Sequence, residues 1–196
     1  MVVISVVISY LLGSLIFSLL IGKISRGVDV RQHGSGNAGA TNTLRVLGIV
    51  PAITVFTLDM CKGIAAILIS DWLTDGNMWA VVGCGLAVII GHNWPVFFSF
   101  RGGKGIATTI GVVAVLSFVP SAIAGAIAIG SIFITRYVSL GSLIFTTLLP
   151  ITAAIMGEPI EIIVAMIVIF VFAVYRHRAN IVRLIKGEEN KLGTKR

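Results

Sequence analysis

The chain has 196 residues, 57% of them hydrophobic and only 12% charged, with a formal net charge of +7 and a mean hydropathy of +1.03. That balance excludes an ordinary water-soluble domain. A spanning helix takes about 20 apolar residues, so the expected architecture is an all-α integral membrane protein. It would be a compact bundle of about seven transmembrane helices, forming a single domain over 1–196 with little room for anything else.

The first apolar stretch, 2–22, has no basic n-region, is followed by Lys23, Arg26 and Arg31, and shows no small-residue cleavage site. It reads as a retained helix, not a removed signal. Further helices are expected over 44–70, 76–91, 104–119, 121–136, 141–156 and 160–175. The segments between them alternate in sign. Loop 23–45 is basic and 71–75 acidic; 101–104 is basic and the turn at Pro120 uncharged. Arg136 opens another basic turn, 158–161 is acidic, and the tail 176–196 is strongly basic. Positive loops stay in the cytoplasm, so this alternation predicts an odd number of crossings, with the N-terminus outside and the C-terminus cytoplasmic. Loops 23–45, 91–105 and 136–142 and the tail 176–196 would then share the cytoplasmic face. Charge placed this way marks topology and a site for anionic ligands or lipid headgroups, and no nucleic acid is expected as a partner.

Asp59 and Lys62 stand inside the second apolar stretch, three residues apart and so on one helical face. Each would cost roughly 2.5–3.5 kcal/mol at mid-bilayer if unpaired. Two readings follow: an internal ion pair facing the bundle, or one charge at the floor of a polar cavity. Cys61 and Cys84 read as buried thiols without metal-ligand or disulfide spacing, and no metal site is expected. Gly83, Gly85, Ala87 and Gly91, and again Ala122, Gly125, Ala126 and Gly130, are the small residues that closely packed membrane helices favour.

Polar chemistry gathers in three runs. The first, His33-Gly34-Ser35-Gly36-Asn37-Ala38-Gly39-Ala40-Thr41-Asn42-Thr43-Leu44-Arg45, has three glycines that let backbone N–H groups approach an anion. Ser35, Asn37, Thr41 and Asn42 add uncharged hydrogen-bonding groups, and Arg45, expected in the first turn of the following helix, can clamp phosphate. The second run passes from Gly91-His92-Asn93-Trp94-Pro95 to Arg101-Gly102-Gly103-Lys104-Gly105. Its end opens a helix, so N–H groups, helix dipole and a lysine can face one anion. Trp94, Phe97, Phe98 and Phe100 between them read as an interfacial aromatic belt. In the third run, 176–188, His177 and Asn180 share a helical face with Arg183 one turn further. A basic tail lying on anionic lipid would explain its arginines, but is indifferent to His177 and Asn180. Ser142, after Arg136, reads as a helix cap or a phosphate contact.

Together these runs resemble the bacterial acyl-phosphate-dependent glycerol-3-phosphate acyltransferases, the PlsY family, along essentially the whole chain. The resemblance implies an enzyme of the bacterial inner membrane with its site facing the cytoplasm. It would transfer a fatty acyl group from acyl phosphate to the 1-hydroxyl of glycerol 3-phosphate, giving lysophosphatidic acid and phosphate. Membrane lipid and other enzymes of phospholipid synthesis are the further partners it suggests. An acyl phosphate is already activated, so neither cofactor nor covalent acyl-enzyme is required. None of His33, His92 or His177 has the Asp that would complete the H-x-x-x-x-D pattern of other glycerolipid acyltransferases. In this reading Lys104 with the amides of Gly102, Gly103 and Gly105 holds one phosphate. Ser35, Asn37, Arg45 and Ser142 hold the other, and His177 adds a polar contact. His92 is the candidate base or hydroxyl orienter, unless the acyl phosphate takes the proton itself, and Asn180 polarises the carbonyl or completes the hydrogen-bond network. The competing classes are a small anion transporter, which would also place polar residues at the midplane and far side, and a non-catalytic subunit binding phospholipid headgroups.

Overall fold

The computed structural model describes residues 1–193 and is helical, with no strand among the described residues. Thr194, Lys195 and Arg196, the end of the expected basic tail, lie outside them. All seven apolar segments expected from the sequence are helical. Five paths are long and apolar enough to cross a bilayer: Val2–Arg26, Ile49–Leu73, Met78–Phe98, Phe118–Thr135 and Val138–Ile155. Ile160–Arg176 and Arg178–Ile185, bent by 64°, make a sixth if taken as one span. Ile106–Leu116 is apolar but only 11 residues long, about 16 Å against a hydrocarbon core of about 30 Å.

The chain divides into two compact units, Met1–Leu116 and the residues from Ser117 onward. The first holds α1 (Val2–Gly13), α2 (Phe17–Arg26), α3 (Ala40–Leu47), α4 (Ile49–Leu73), α5 (Met78–Asn93) and α6 (Ile106–Leu116). Helix α4 is its axis, touching all five others. Two pairs meet backbone to backbone. A Cβ on Gly13 would fall on the Val88 carbonyl and one on Gly91 on the Tyr10 carbonyl, locking α1 to α5. Gly63 and Gly111 abut the Thr108 and Met60 carbonyls in the same reciprocal way, locking α4 to α6. Of the other expected small interface residues, Gly85 lies against Ile67 and Val112, whereas Gly83 and Gly130 have nothing within 4 Å.

Three boundaries differ from the sequence reading. The first apolar stretch is broken at 14–16, where the chain leaves α1 and re-enters a helix at Phe17. The second begins with a separate short helix, α3, ended by Gly48 at φ +95°, a conformation only glycine adopts readily. Arg45 is therefore in the last turn of α3 and not at the start of a long helix. The expected turn at Pro120 sits instead at Ser117. Pro120 falls in the first turn of α7, where its missing N–H has no helical partner to lose. The cysteines part company too, Cys84 being buried and Cys61 exposed on α4.

The second unit holds α7 (Phe118–Thr135), α8 (Val138–Ile155), α9 (Ile160–Arg176) and α10 (Arg178–Ile185). Helix α8 packs against the other three. Its join to α7 is tied by Thr152, whose hydroxyl lies 3.1 Å from the Pro120 carbonyl. Where α7 begins, Ser117 donates to Glu158 at 2.7 Å.

Candidate active site

The first unit brings the first two polar runs together. Loop 27–39 is folded around Asn42, whose amide donates to the carbonyls of Val30 (2.7 Å) and His33 (3.1 Å) and accepts from the Ser35 N–H (2.7 Å). Gly34 and Gly36, at φ +61° and +71°, supply the left-handed turns this requires. Beneath them Ile16, Leu19, Val30, Ala38 and Leu47 form a small apolar core that also takes in Phe98, so Phe98 is part of the packing and not only of an aromatic belt. Arg31 then bridges the loops. It grips Asp29 through Nε and Nη2 and reaches the carbonyls of Phe98 (3.3 Å) and Arg101 (3.2 Å) with Nη1. The arginine beside Asp29 holds that carboxyl below its ordinary 3.8.

The second run turns back on itself before α6. Ser99 and Phe100 both adopt left-handed φ, 55° and 59°, a conformation of order 1–3 kcal/mol per non-glycine residue that clusters at functional sites. Gly103 N–H donates to the His92 carbonyl at 3.1 Å. A Cβ on Gly103 would collide with the His92 imidazole at Nε2 and with the Ala38 carbonyl, and one on Gly102 with the His92 carbonyl. Only glycines allow this approach, which sets the Gly-rich turn, the first loop and His92 side by side. Gly105 at φ +79° leads into the N-terminus of α6. Lys104 is half-buried between these glycines, Ser35 and Arg45 are exposed, and Asn37 is half-buried.

His92 is 3% exposed and sits on a buried charge cluster. Lys62 Nζ lies 2.8 Å from Asp59 Oδ1, 3.0 Å from the Gly13 carbonyl, 2.7 Å from the Leu15 carbonyl and 2.9 Å from His92 Nδ1. The two carbonyls belong to the break between α1 and α2, where helical partners are missing. Tyr10 Oη donates to the Trp94 carbonyl at 2.9 Å, tying α1 to the end of α5. Asp59 and Lys62 thus form the internal ion pair of the first reading, and that pair lies against His92, a candidate site residue.

In the second unit the backbone turns sharply at His177, between α9 and α10. His177 Nδ1 is 2.8 Å from the Ala173 carbonyl, which can only accept, so Nδ1 carries a hydrogen. Asn180, buried on α10, donates to Glu189 Oε1 at 2.7 Å. Glu189 also accepts from Ser139 (3.1 Å) and Arg183 (2.8 Å). Burial pushes the Glu189 carboxyl up, but the bonds from Asn180, Arg183 and Ser139 outweigh it and leave it below its ordinary 4.5. Ser142 is not a helix cap: it is the fifth residue of α8, buried, with its hydroxyl donated to the Val138 carbonyl at 2.9 Å.

The family model described as glycerol-3-phosphate acyltransferase matches residues 3–187. This chain belongs to the glycerol-3-phosphate acyltransferase family. It is 55% identical to the glycerol-3-phosphate acyltransferase of Halalkalibacterium halodurans, over 96% of this chain and 94% of that one. The corresponding protein of Thermoanaerobacter sp. is 46% identical over 98% and 96%. Two crystal structures of PlsY, an integral membrane glycerol 3-phosphate acyltransferase, superpose closely. Its glycerol 3-phosphate form gives a TM-score of 0.93 at 41% identity, covering 98% of this chain and 96% of that one. Its lysophosphatidic acid form gives 0.91 at 40% over the same shares.

In this family member the Asp29–Arg31 staple and the role of Glu189 were not expected from the sequence, and Asn42 was expected only as one of several hydrogen-bonding groups. Asp29 with Arg31 staples the loops, Asn42 shapes the first of them, and Glu189 gathers α8 and α10. Asn42 lies within the first polar run, and its value to the loop depends on carbonyls nine and twelve residues away. Glu189 lay just beyond the third run, and only the fold brings Ser139 to it.

Proposed function

We propose that this membrane protein acylates the 1-hydroxyl of glycerol 3-phosphate with a fatty acyl phosphate, giving lysophosphatidic acid and inorganic phosphate. The observation that carries the reading is the packing of two glycine-rich loops against one buried histidine at the start of a helix, with a lysine between the glycines. Such a place suits a phosphate beside a reacting hydroxyl, and the relatives' names supply the acceptor. The hydroxyl oxygen attacks the acyl carbonyl carbon, the bond from that carbon to the phosphate oxygen breaks, and phosphate leaves with the electron pair. The hydroxyl proton passes to His92 or to the departing phosphate.

Lys104 and the amides of Gly102, Gly103 and Gly105 are proposed to hold one phosphate. Ser35, Asn37, Arg45 and Ser142 are proposed for the other, His177 for a polar contact, and Asn180 for the acyl carbonyl or its hydrogen-bond network. The charge alternation supports a site on the cytoplasmic side of the bacterial inner membrane, with the N-terminus outside. The acyl-phosphate donor is supported by the motif resemblance and by chemistry that requires no cofactor.

The test is detergent-purified protein mixed with palmitoyl phosphate and glycerol 3-phosphate, with release of inorganic phosphate followed, and palmitoyl-CoA as donor in parallel. Glycerol 3-phosphate-dependent release from the acyl phosphate alone is expected. Lys104→Ala is expected to lower kcat/KM by at least about a hundredfold, the scale of one lost charge-assisted contact of roughly 3 kcal/mol. A folded protein that turns over neither donor, or that uses only the CoA ester, overturns the reading.

A further inference from the structure

The buried cluster under His92 does more than neutralise two charges. Lys62 is the centre: three oxygens, from Asp59, Gly13 and Leu15, lie within 3.0 Å of its Nζ. An ammonium has three hydrogens and no lone pair, and two of them go to the Gly13 and Leu15 carbonyls. His92 Nδ1 is the fourth neighbour, at 2.9 Å. A hydrogen on Nδ1 would point at that ammonium. Asp59 Oδ1 is 3.5 Å away, at the margin of a hydrogen bond, and is ion-paired with Lys62 at 2.8 Å. Nδ1 is therefore the ring's lone-pair nitrogen, accepting the third Lys62 hydrogen, and the ring's own hydrogen sits on Nε2, the atom set against Gly103.

We propose that Asp59 and Lys62 are positioning residues for the acyl transfer, holding His92 in the Nε2–H tautomer so that it meets substrate as a hydrogen-bond donor and not as a proton acceptor. This rests on the proposed acyl-transfer reading. To take up a proton at Nε2 the ring would need its hydrogen on Nδ1, facing the ammonium. Asp59 holds Lys62 in place; the carbonyls freed at the α1–α2 break fix the height at which its ammonium meets the ring. His177 is an internal contrast, because its Nδ1 lies against a carbonyl and bears a hydrogen.

The experiment is 15N NMR of imidazole nitrogens in detergent-solubilised protein labelled at histidine. The chain has three histidines, so the variants His33→Gln and His92→Asn complete the assignment. The expected result in the wild type is a lone-pair Nδ1 and a protonated Nε2 for His92, with a protonated Nδ1 for His177. Lys62→Met removes the ammonium and lets Nδ1–H turn to Asp59. It should invert the His92 pattern and lower kcat at least tenfold with a smaller change in KM. Lys62→Arg, another residue that only donates, should keep the wild-type pattern and recover part of kcat. A protonated Nδ1 on His92 in the active wild-type enzyme overturns the positioning proposal alone. A lone-pair Nδ1 in folded protein that turns over no acyl phosphate sinks the acyl-transfer reading, and the role with it.

Discussion

Each unit of this protein holds a candidate site residue with an ion pair, and the two pairs are built for different surroundings. In the first, the side chains of Asp59 and Lys62 are each 1% exposed. In the second, Glu189 is 5% exposed and its partner Arg183 is 35% exposed. Where water is absent, the lysine must be saturated by the protein, and it is: the break between α1 and α2 offers two carbonyls that have lost their helical partners. Where water is in reach, the carboxylate gathers three side-chain donors and leaves the arginine partly outside. A buried pair is thus inseparable from the backbone around it. A half-exposed pair is a junction of side chains that can be loosened one at a time.

The largest effect is expected from breaking the dry pair on one side. Asp59→Ala strands the Lys62 ammonium with two carbonyls and an imidazole, and the loss should be about 3–5 kcal/mol, the usual consequence of an uncompensated buried charge. Thermal unfolding in detergent measures it. The double variant Asp59→Leu with Lys62→Met should cost clearly less than the two single changes added together. Simple additivity would mean the pair is not the unit described.

The sequence announced this pair and not its purpose. Two opposite charges three apart in an apolar helix are legible as an internal pair from the price of leaving either alone. That the pair reaches His92 is not legible, since it depends on a break at 14–16 that no proline or charge marks in the sequence. The seven apolar segments and the two glycine-rich loops were readable because hydrophobic length and glycine spacing are local. Arg45 was assigned to the wrong helix turn because Gly48, one glycine in an apolar run, ends α3 through its left-handed backbone. Asn42 and Glu189 act through partners that sequence distance hides.

A middle-sized effect should follow Glu189→Gln. An amide can still accept from Asn180 but presents hydrogens or a weaker dipole to Arg183, so about 1–3 kcal/mol of stability is expected to go near neutral pH. The carboxyl is held below its ordinary 4.5 in the folded protein, so its extra stabilisation is fully present above that pH and is lost as pH falls through the lowered native value. The gap in melting temperature between wild type and variant should therefore narrow on acidification below 4.5. A gap that stays constant would show that the charge of Glu189 contributes nothing to the junction.

The smallest change in stability is expected at a third pair, Arg31 with Asp29, whose side chains are 27% and 31% exposed. Such pairs are worth at most about 1 kcal/mol and weaken with salt, so Arg31→Lys should barely move the melting temperature. Its effect belongs elsewhere. Arginine's planar fork spans Asp29 and the carbonyls of Phe98 and Arg101 at once, and lysine's single point of charge cannot. Those carbonyls lie in the turn that delivers Gly102, Gly103 and Lys104 to His92. If the bridge sets that turn, KM for glycerol 3-phosphate should rise severalfold in Arg31→Lys while kcat changes little. An unchanged KM would mean that the glycine contacts with His92 hold the turn by themselves. The exposed pair would then stand at the far end of the series, contributing neither stability nor position.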